Sequence, residues 1–171
     1  MYAAFDKAYE LAPNNISVLS NVGMYTIWGG ECSEDQIKDF KGVSGKYTTG
    51  NCRWHKGLEI AKKADELDKA NTVVGKHYPL TTVLIAAGKY EEALQQIQKA
   101  PAPGFIWYEI HSGVIHAKLG NTSSAKPHFE AVKKLIGSSK LKDVQPHFYF
   151  WNIEKTLWNT YRPAFEQFGF N

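Results

Sequence analysis

The sequence predicts an all-α fold: an α-α superhelix of antiparallel helix pairs, with a C-terminal helical cap and one loop insertion. Three observations predict it. Apolar side chains recur at three- and four-residue spacing along most of the chain, related segments recur every thirty-odd residues, and no run alternates well enough to make a strand. In "AAGKYEEALQQIQKA", Gly88, Ala93 and Ile97 are each followed 32 residues later by Gly120, Ala125 and Phe129 of "KLGNTSSAKPHFEAV". Aligning "FDKAYELAPNN" (5 to 15) with "AKKADELDKAN" (61 to 71) pairs Lys7 with Lys63, Ala8 with Ala64, Leu11 with Leu67 and Asn15 with Asn71, at an offset of 56. Setting aside the 23 residues from 31 to 53 leaves a period of 33. A two-helix repeat of about 34 residues has that length, so 31–53 is expected to be an insertion between the helices of one repeat.

In chain order, the pattern predicts helices near 2–12, 16–29, 53–68, 73–87, 90–99, 104–119 and 122–136, then closing segments near 147–158 and 160–168. Pro13, Pro101 and Pro103 lie just past helices, where a missing backbone N–H does little harm. Gly88 and Gly120 suit tight turns, because glycine takes left-handed backbone angles without a steric cost. Tyr90, Ala93, Leu94 and Ile97 form one stripe of an amphipathic helix. Ala93, Ala100, Gly113 and Ala125 sit where two helix axes must approach closely, since a larger side chain would hold them apart. The aromatic-rich end (Phe148, Tyr149, Phe150, Trp151, Trp158, Tyr161, Phe165, Phe168 and Phe170) is expected to cover the apolar end of the stack.

The 171 residues, 43% hydrophobic and 22% charged, fit one domain spanning 1–171, with the insertion at 31–53 and the cap at 143–171. A net charge of +3, with no basic run longer than two residues, argues against contact with nucleic acid or an anionic membrane. The first fifteen residues lack the charged leader and apolar run of a signal peptide, and no later stretch approaches the roughly 20 apolar residues that span a bilayer. The repeat opens in mid-pattern at Met1, as in a piece cut from a longer protein.

The small residue in each helix, the turn glycine, "YEEAL", and the following Ala with a closing Pro or Asp resemble the tetratricopeptide repeat. More specifically, "CRWHKGLEIAKKADELD", "IAAGKYEEAL", "PGFIWYEIHSGVIHAKLGN" and "FEQFGF" resemble the C-terminal repeat region of bacterial signalling proteins, namely adenylate or guanylate cyclases and membrane-anchored winged-helix regulators. The resemblance covers about 54 to 170. It implies a non-catalytic interaction or sensory domain with an effector domain upstream, and it supplies nothing for the insertion.

Stacked helix pairs coil so that their first helices line an inner surface able to take a peptide or partner helix. Helical phase places Met24, Trp28, Tyr78, Ile85, Trp107, Ile110, Val114 and Lys118 on that groove, with a protein or peptide as the expected partner. Trp and Tyr offer large rigid area with one polar handle, although such a stripe is more often core. Cys32 and Cys52 bracket the insertion, and a disulfide between them would close it at its base, worth roughly 3 kcal/mol in the chain-entropy model. With both thiols reduced, the loop would rest on "SEDQIKDF", where Ser33 could cap a short helix with Gln36 reaching back. The disulfide would imply an oxidising compartment such as the periplasm, consistent with the membrane-anchored proteins the chain resembles; the reduced form fits the cytoplasm.

Sharper chemistry finds little support. "GVSGKYTTG" departs from the phosphate-loop spacing at Gly42 and at Tyr47. Cys32, Cys52 and His55 lack an evident fourth metal ligand. His111 and His116 are five apart, on different sides of a helix, and no Ser, His and acid grouping carries a nucleophile elbow. No catalytic residue, metal or cofactor is therefore assigned. The alternative function is a small-molecule or metal receptor that uses the 31–53 loop and the groove; a closed polar pocket beneath that loop would favour it.

Overall fold

The computed structural model describes residues 2–28, 54–150 and 155–171, without the side chains of 2, 55, 74, 149, 150, 155 and 156, and the described residues contain helices and no strand. We number the helices α1 (Tyr2–Leu11), α2 (Ile16–Trp28), α3 (Trp54–Leu67), α4 (His77–Ala86), α5 (Tyr90–Ile97), α6 (Ile106–Lys118), α7 (Thr122–Ile136), α8 (Leu141–Phe150) and α9 (Lys155–Gln167). A 3₁₀ turn, Val74–Lys76, leads into α4. The insertion, including Cys32 and Cys52, lies outside the described residues, as do Trp151 and the side chain of His55.

Each helix from α1 to α7 packs on its chain neighbour, while α2 also touches α4, and α4 touches α6. The connections between α4 and α5 and between α6 and α7 are the same turn at the 32-residue spacing. Gly88 (φ 73°) donates to the Ile85 carbonyl at 3.0 Å while Lys89 donates to Leu84 at 2.8 Å; Gly120 (φ 76°) donates to Ala117 at 3.1 Å while Asn121 donates to His116 at 2.9 Å. A second series of left-handed residues, Asn71 (φ 54°), Gly104 (φ 84°) and Gly137 (φ 72°), recurs every 33 residues after α3, α5 and α7. These positions take the chain out of one helix pair and into the next without a steric penalty for glycine.

Small residues set the closest approaches. A Cβ on Gly57 of α3 would meet Ile27 Cγ1 of α2 at 2.6 Å and the Gly23 carbonyl at 3.0 Å, so these two helices cross backbone to backbone. Ala93, Ala100 and Ala125 are fully buried at the expected contacts, and the Phe129 ring lies 3.2 Å from where a Gly113 side chain would begin. One core cluster runs from Ile27 to Phe170; a smaller one, Leu19, Val22, Ile60 and Ala64, is covered by Phe5, Ala8 and Tyr9 of α1.

The C-terminal segment differs from expectation in its boundaries and in its position. The first closing helix starts at Leu141 instead of 147, because Ser138 and Asp143 build its entry: Ser138 donates to Asp143 Oδ2 at 2.5 Å and accepts from the Lys140 N–H at 3.1 Å. Pro146 and Pro163 are carried inside α8 and α9, which tolerate the loss of one backbone donor each. Helix α9 packs on α8, on α6 and on α4, so it reaches well beyond the last helix it follows.

Candidate functional site

The expected groove is filled from within. Trp28, Tyr78, Ile85, Trp107, Ile110 and Val114 are at most 4% exposed and belong to the core. Met24 is half-buried against the same cluster, and Lys118 alone of the eight is exposed. The physical reason is the C-terminal segment. Trp107 stacks obliquely on Trp28 (5.1 Å between centroids) and takes Phe148 of α8 edge-on at 5.0 Å. Phe148 in turn meets Trp158 at 4.9 Å and Tyr161 at 5.5 Å, both on α9. Helix α9 turns Leu157, Trp158, Tyr161, Ala164 and Phe165 inward and leaves Asn159, Arg162 and Glu166 to solvent, an amphipathic stripe of its own. A partner therefore finds no aromatic strip open to it along these six residues.

Beneath that seam lies a buried polar knot. Trp28 Nε1 donates to Thr82 Oγ1 at 3.0 Å, and His111 Nδ1 is 2.7 Å from the Trp107 carbonyl. A carbonyl only accepts, so Nδ1 carries the proton and Nε2 is the acceptor. Nε2 lies 3.1 Å from Thr82 Oγ1, whose hydroxyl hydrogen is shared with the Tyr78 carbonyl at 2.9 Å. Burial pushes His111 down to about 4, against the opposing pull of the Trp107 carbonyl, so the ring is neutral at physiological pH. Burial likewise drives the Tyr78 and Tyr161 hydroxyls above their ordinary range. Trp107 Nε1 and Tyr161 Oη are buried without a hydrogen-bond partner.

Convergent charge appears elsewhere, where α3 gives way to α4. The helix end "DELDKANT" puts Asp65 and Asp68 one turn apart, and Asn71, left-handed, turns its side chain back under them. Lys76, fully buried, donates to Asp68 Oδ2 at 3.0 Å, to the Asp68 carbonyl at 3.2 Å and to Asn71 Oδ1 at 2.9 Å, with Asp65 at 3.6 Å. Asp68 also accepts from the N–H groups of Thr72 (2.9 Å) and Val73 (2.7 Å) and from the Thr72 hydroxyl (2.7 Å). Burial alone would raise the Asp68 carboxyl; these donors together with Lys76 outweigh it and hold the group well below the usual carboxylate range. Asn71 Nδ2 donates to the Lys99 carbonyl at 2.8 Å, which fixes the amide orientation, so His77 Nε2 is the donor to Asn71 Oδ1 at 2.8 Å. Burial and then the Lys76 charge lower His77, against the pull of Asp65.

A cavity of about 330 Å³ opens over this joint, lined by Asp65, Asp68, Lys69, Asn71, Lys76, His77 and Lys99. Its floor is a self-neutralised ion pair whose three ammonium protons are all taken. What remains for a ligand is the rim: Asp65, 43% exposed, and the exposed Lys69 and Lys99. The rim suits a small polar molecule bearing both signs of charge. Among the described residues, no three His, Cys, Asp or Glu side chains converge to hold a metal ion, and no helix is long and apolar enough to cross a membrane. The helical phase of His111 and His116 was legible: His111 faces the knot and His116 faces α7. The one sequence signal for this joint is the lysine set among apolar residues in "VVGKHYPL", a charge that needs a partner once buried. No family model, curated protein or solved structure matches this chain.

Proposed function

We propose that the chain is a tetratricopeptide-like helical-repeat domain with a non-catalytic interaction or regulatory role, and that it forms the C-terminal part of a larger bacterial signalling protein on the periplasmic side of a membrane. The observation that carries the reading is the doubled recurrence of local geometry: the same glycine turn at 32-residue spacing, and left-handed exits at 33-residue spacing. Fold alone assigns no partner. With six of the eight groove positions buried, the partner surface consists of what stays accessible: Lys118, the edge at Met24, and the rim at Lys69 and Lys99.

Site-specific photo-crosslinking from positions 118 and 99 in cells that make the full protein tests this. The expected result is one protein partner captured in a position-dependent way, binding the purified domain at micromolar strength and losing affinity at least tenfold on Lys99→Glu. Saturable small-molecule binding or turnover without any protein partner would overturn it. The cavity of about 330 Å³ favours a second reading, a receptor for a small zwitterionic ligand. Asp65→Asn would then abolish a ligand-induced thermal shift.

A further inference from the structure

On the far side of α6 from the polar knot, a second set of titratable groups is joined without any role in the seam. Glu109, in the first turn of α6 and only 6% exposed at its side chain, uses one carboxylate oxygen for the Gly104 N–H at 2.8 Å and the other for His128 Nδ1 at 2.6 Å. One carboxylate therefore ties the loop before α6, helix α6 itself and helix α7. The ring of His128 lies parallel to that of His116, with 6.0 Å between centroids and 8° between planes, and Tyr108 closes its other side edge-on at 5.9 Å. His116 Nδ1 is buried and has no hydrogen-bond partner. A Cβ at Gly113 would lie 3.2–3.3 Å from His128 Cβ and the Phe129 ring, so it is a glycine in α6 that lets α7 sit this close.

We propose that the His116–His128 pair, tied through Glu109 to Gly104, is an acid-released latch that holds the last helix pair to the loop preceding it. Of the two rings, His128 is the one bonded to the carboxylate. A proton on His116 puts a positive charge one ring-stack from His128, while Glu109 is already engaged by His128 and the Gly104 N–H and, among the described residues, no other carboxylate is bonded to either ring. From α4, Tyr78 faces Tyr108 and Glu109 and adds no cation or anion at neutral pH. Helices α5 and α9 also pack on α6, and among the described residues neither brings a charged side chain into hydrogen-bond or ion-pair contact with the two rings. Relief comes from α7 moving off α6, which withdraws His128 from Glu109; the buried carboxylate, having lost one of its two partners, turns toward water and releases the Gly104 amide.

Burial, followed by the charge of His128, lowers His116. Its neutral form is thus favoured in the folded state, and the stabilisation it gives is present above the ordinary value of 6.5 and is lost as pH falls below it.

Amide hydrogen exchange at Gly104, corrected for the intrinsic pH dependence of exchange, tests the latch. Between about pH 7.5 and pH 5, protection is expected to fall at least tenfold while the amide of Val114 stays protected, and His116→Phe should abolish the fall. Should that variant not fold, as judged by circular dichroism, His116→Gln takes its place, and carbon-detected titration of the His116 ring in the unaltered protein gives an independent readout. His116 is expected to take its proton below the ordinary value of 6.5. Unchanged Gly104 protection down to pH 5, the same fall in the position-116 variant, or a His116 ring titrating at the ordinary 6.5 would each overturn the proposal.

Discussion

His111 should make the folded state sensitive to acid by an amount that its surroundings fix. The ring is fully buried and neutral, and in the unfolded chain it returns to the ordinary value of 6.5 from about 4. Between those two values the unfolded chain binds the extra proton, so stability rises with pH through this window; the contribution is complete above 6.5 and disappears as pH falls toward 4. At 1.36 kcal/mol per pH unit the full span is worth about 3 kcal/mol, of which somewhat more than 2 is gone by about pH 4.5. The assay is urea unfolding from about pH 7.5 to pH 4.5 on the unaltered protein and on His111→Phe, which keeps an aromatic ring and removes the titration. At pH 7.5 the variant should lose about 1–2 kcal/mol, because Thr82 retains Trp28 and the Tyr78 carbonyl as partners. The gap between the two proteins should close or reverse at pH 4.5, since only the unaltered one pays for burying an imidazolium. Parallel stability curves, or a His111 ring signal titrating near 6.5, would refute the reasoning.

Gly57→Ala should cost at least about 2 kcal/mol in the same unfolding assay, because its new methyl would sit 2.6 Å from Ile27 Cγ1 and against the Gly23 carbonyl. Tyr161→Phe should change stability by less than about 0.5 kcal/mol, or raise it, since the hydroxyl it removes is buried without a partner; a loss above 1 kcal/mol would mean that the hydroxyl bonds Thr82 after all. For Cys32 and Cys52, intact mass with and without reductant on protein recovered from the periplasm should differ by two hydrogens; two free thiols there would remove the case for an oxidising compartment.

The helices and their close contacts were legible because the same side chains do both jobs. Gly88 and Gly120 mark the turns, Ala93, Ala125 and Gly113 mark the approaches, and each signal is local and repeated. The filling of the groove was not legible in the same way. Helical phase tells which side chains of α4 and α6 face one side, but whether that side meets solvent depends on where α9 lands, a contact across fifty residues between His111 and Tyr161. The stripe of Trp158, Tyr161 and Phe165 showed that α9 needed a seat without saying which. The polar joint was hidden for a different reason: Asp68, Asn71 and Lys76 look like a solvated helix end until the backbone at Asn71 turns left-handed and folds them under one another.

The two successive connections carry opposite electrical signs. In each, a buried ionisable side chain five residues beyond the left-handed position returns to it: the ammonium of Lys76 to Asn71, then the carboxylate of Glu109 to the Gly104 amide. The first is neutralised by Asp68 and the second is hydrogen-bonded to His128. Copies of these units are consequently not interchangeable modules. Exchanging their order, or duplicating one beside itself, would seat a cation where an anion is required and leave it stranded without water, so the order of units along the chain is written into its buried charges.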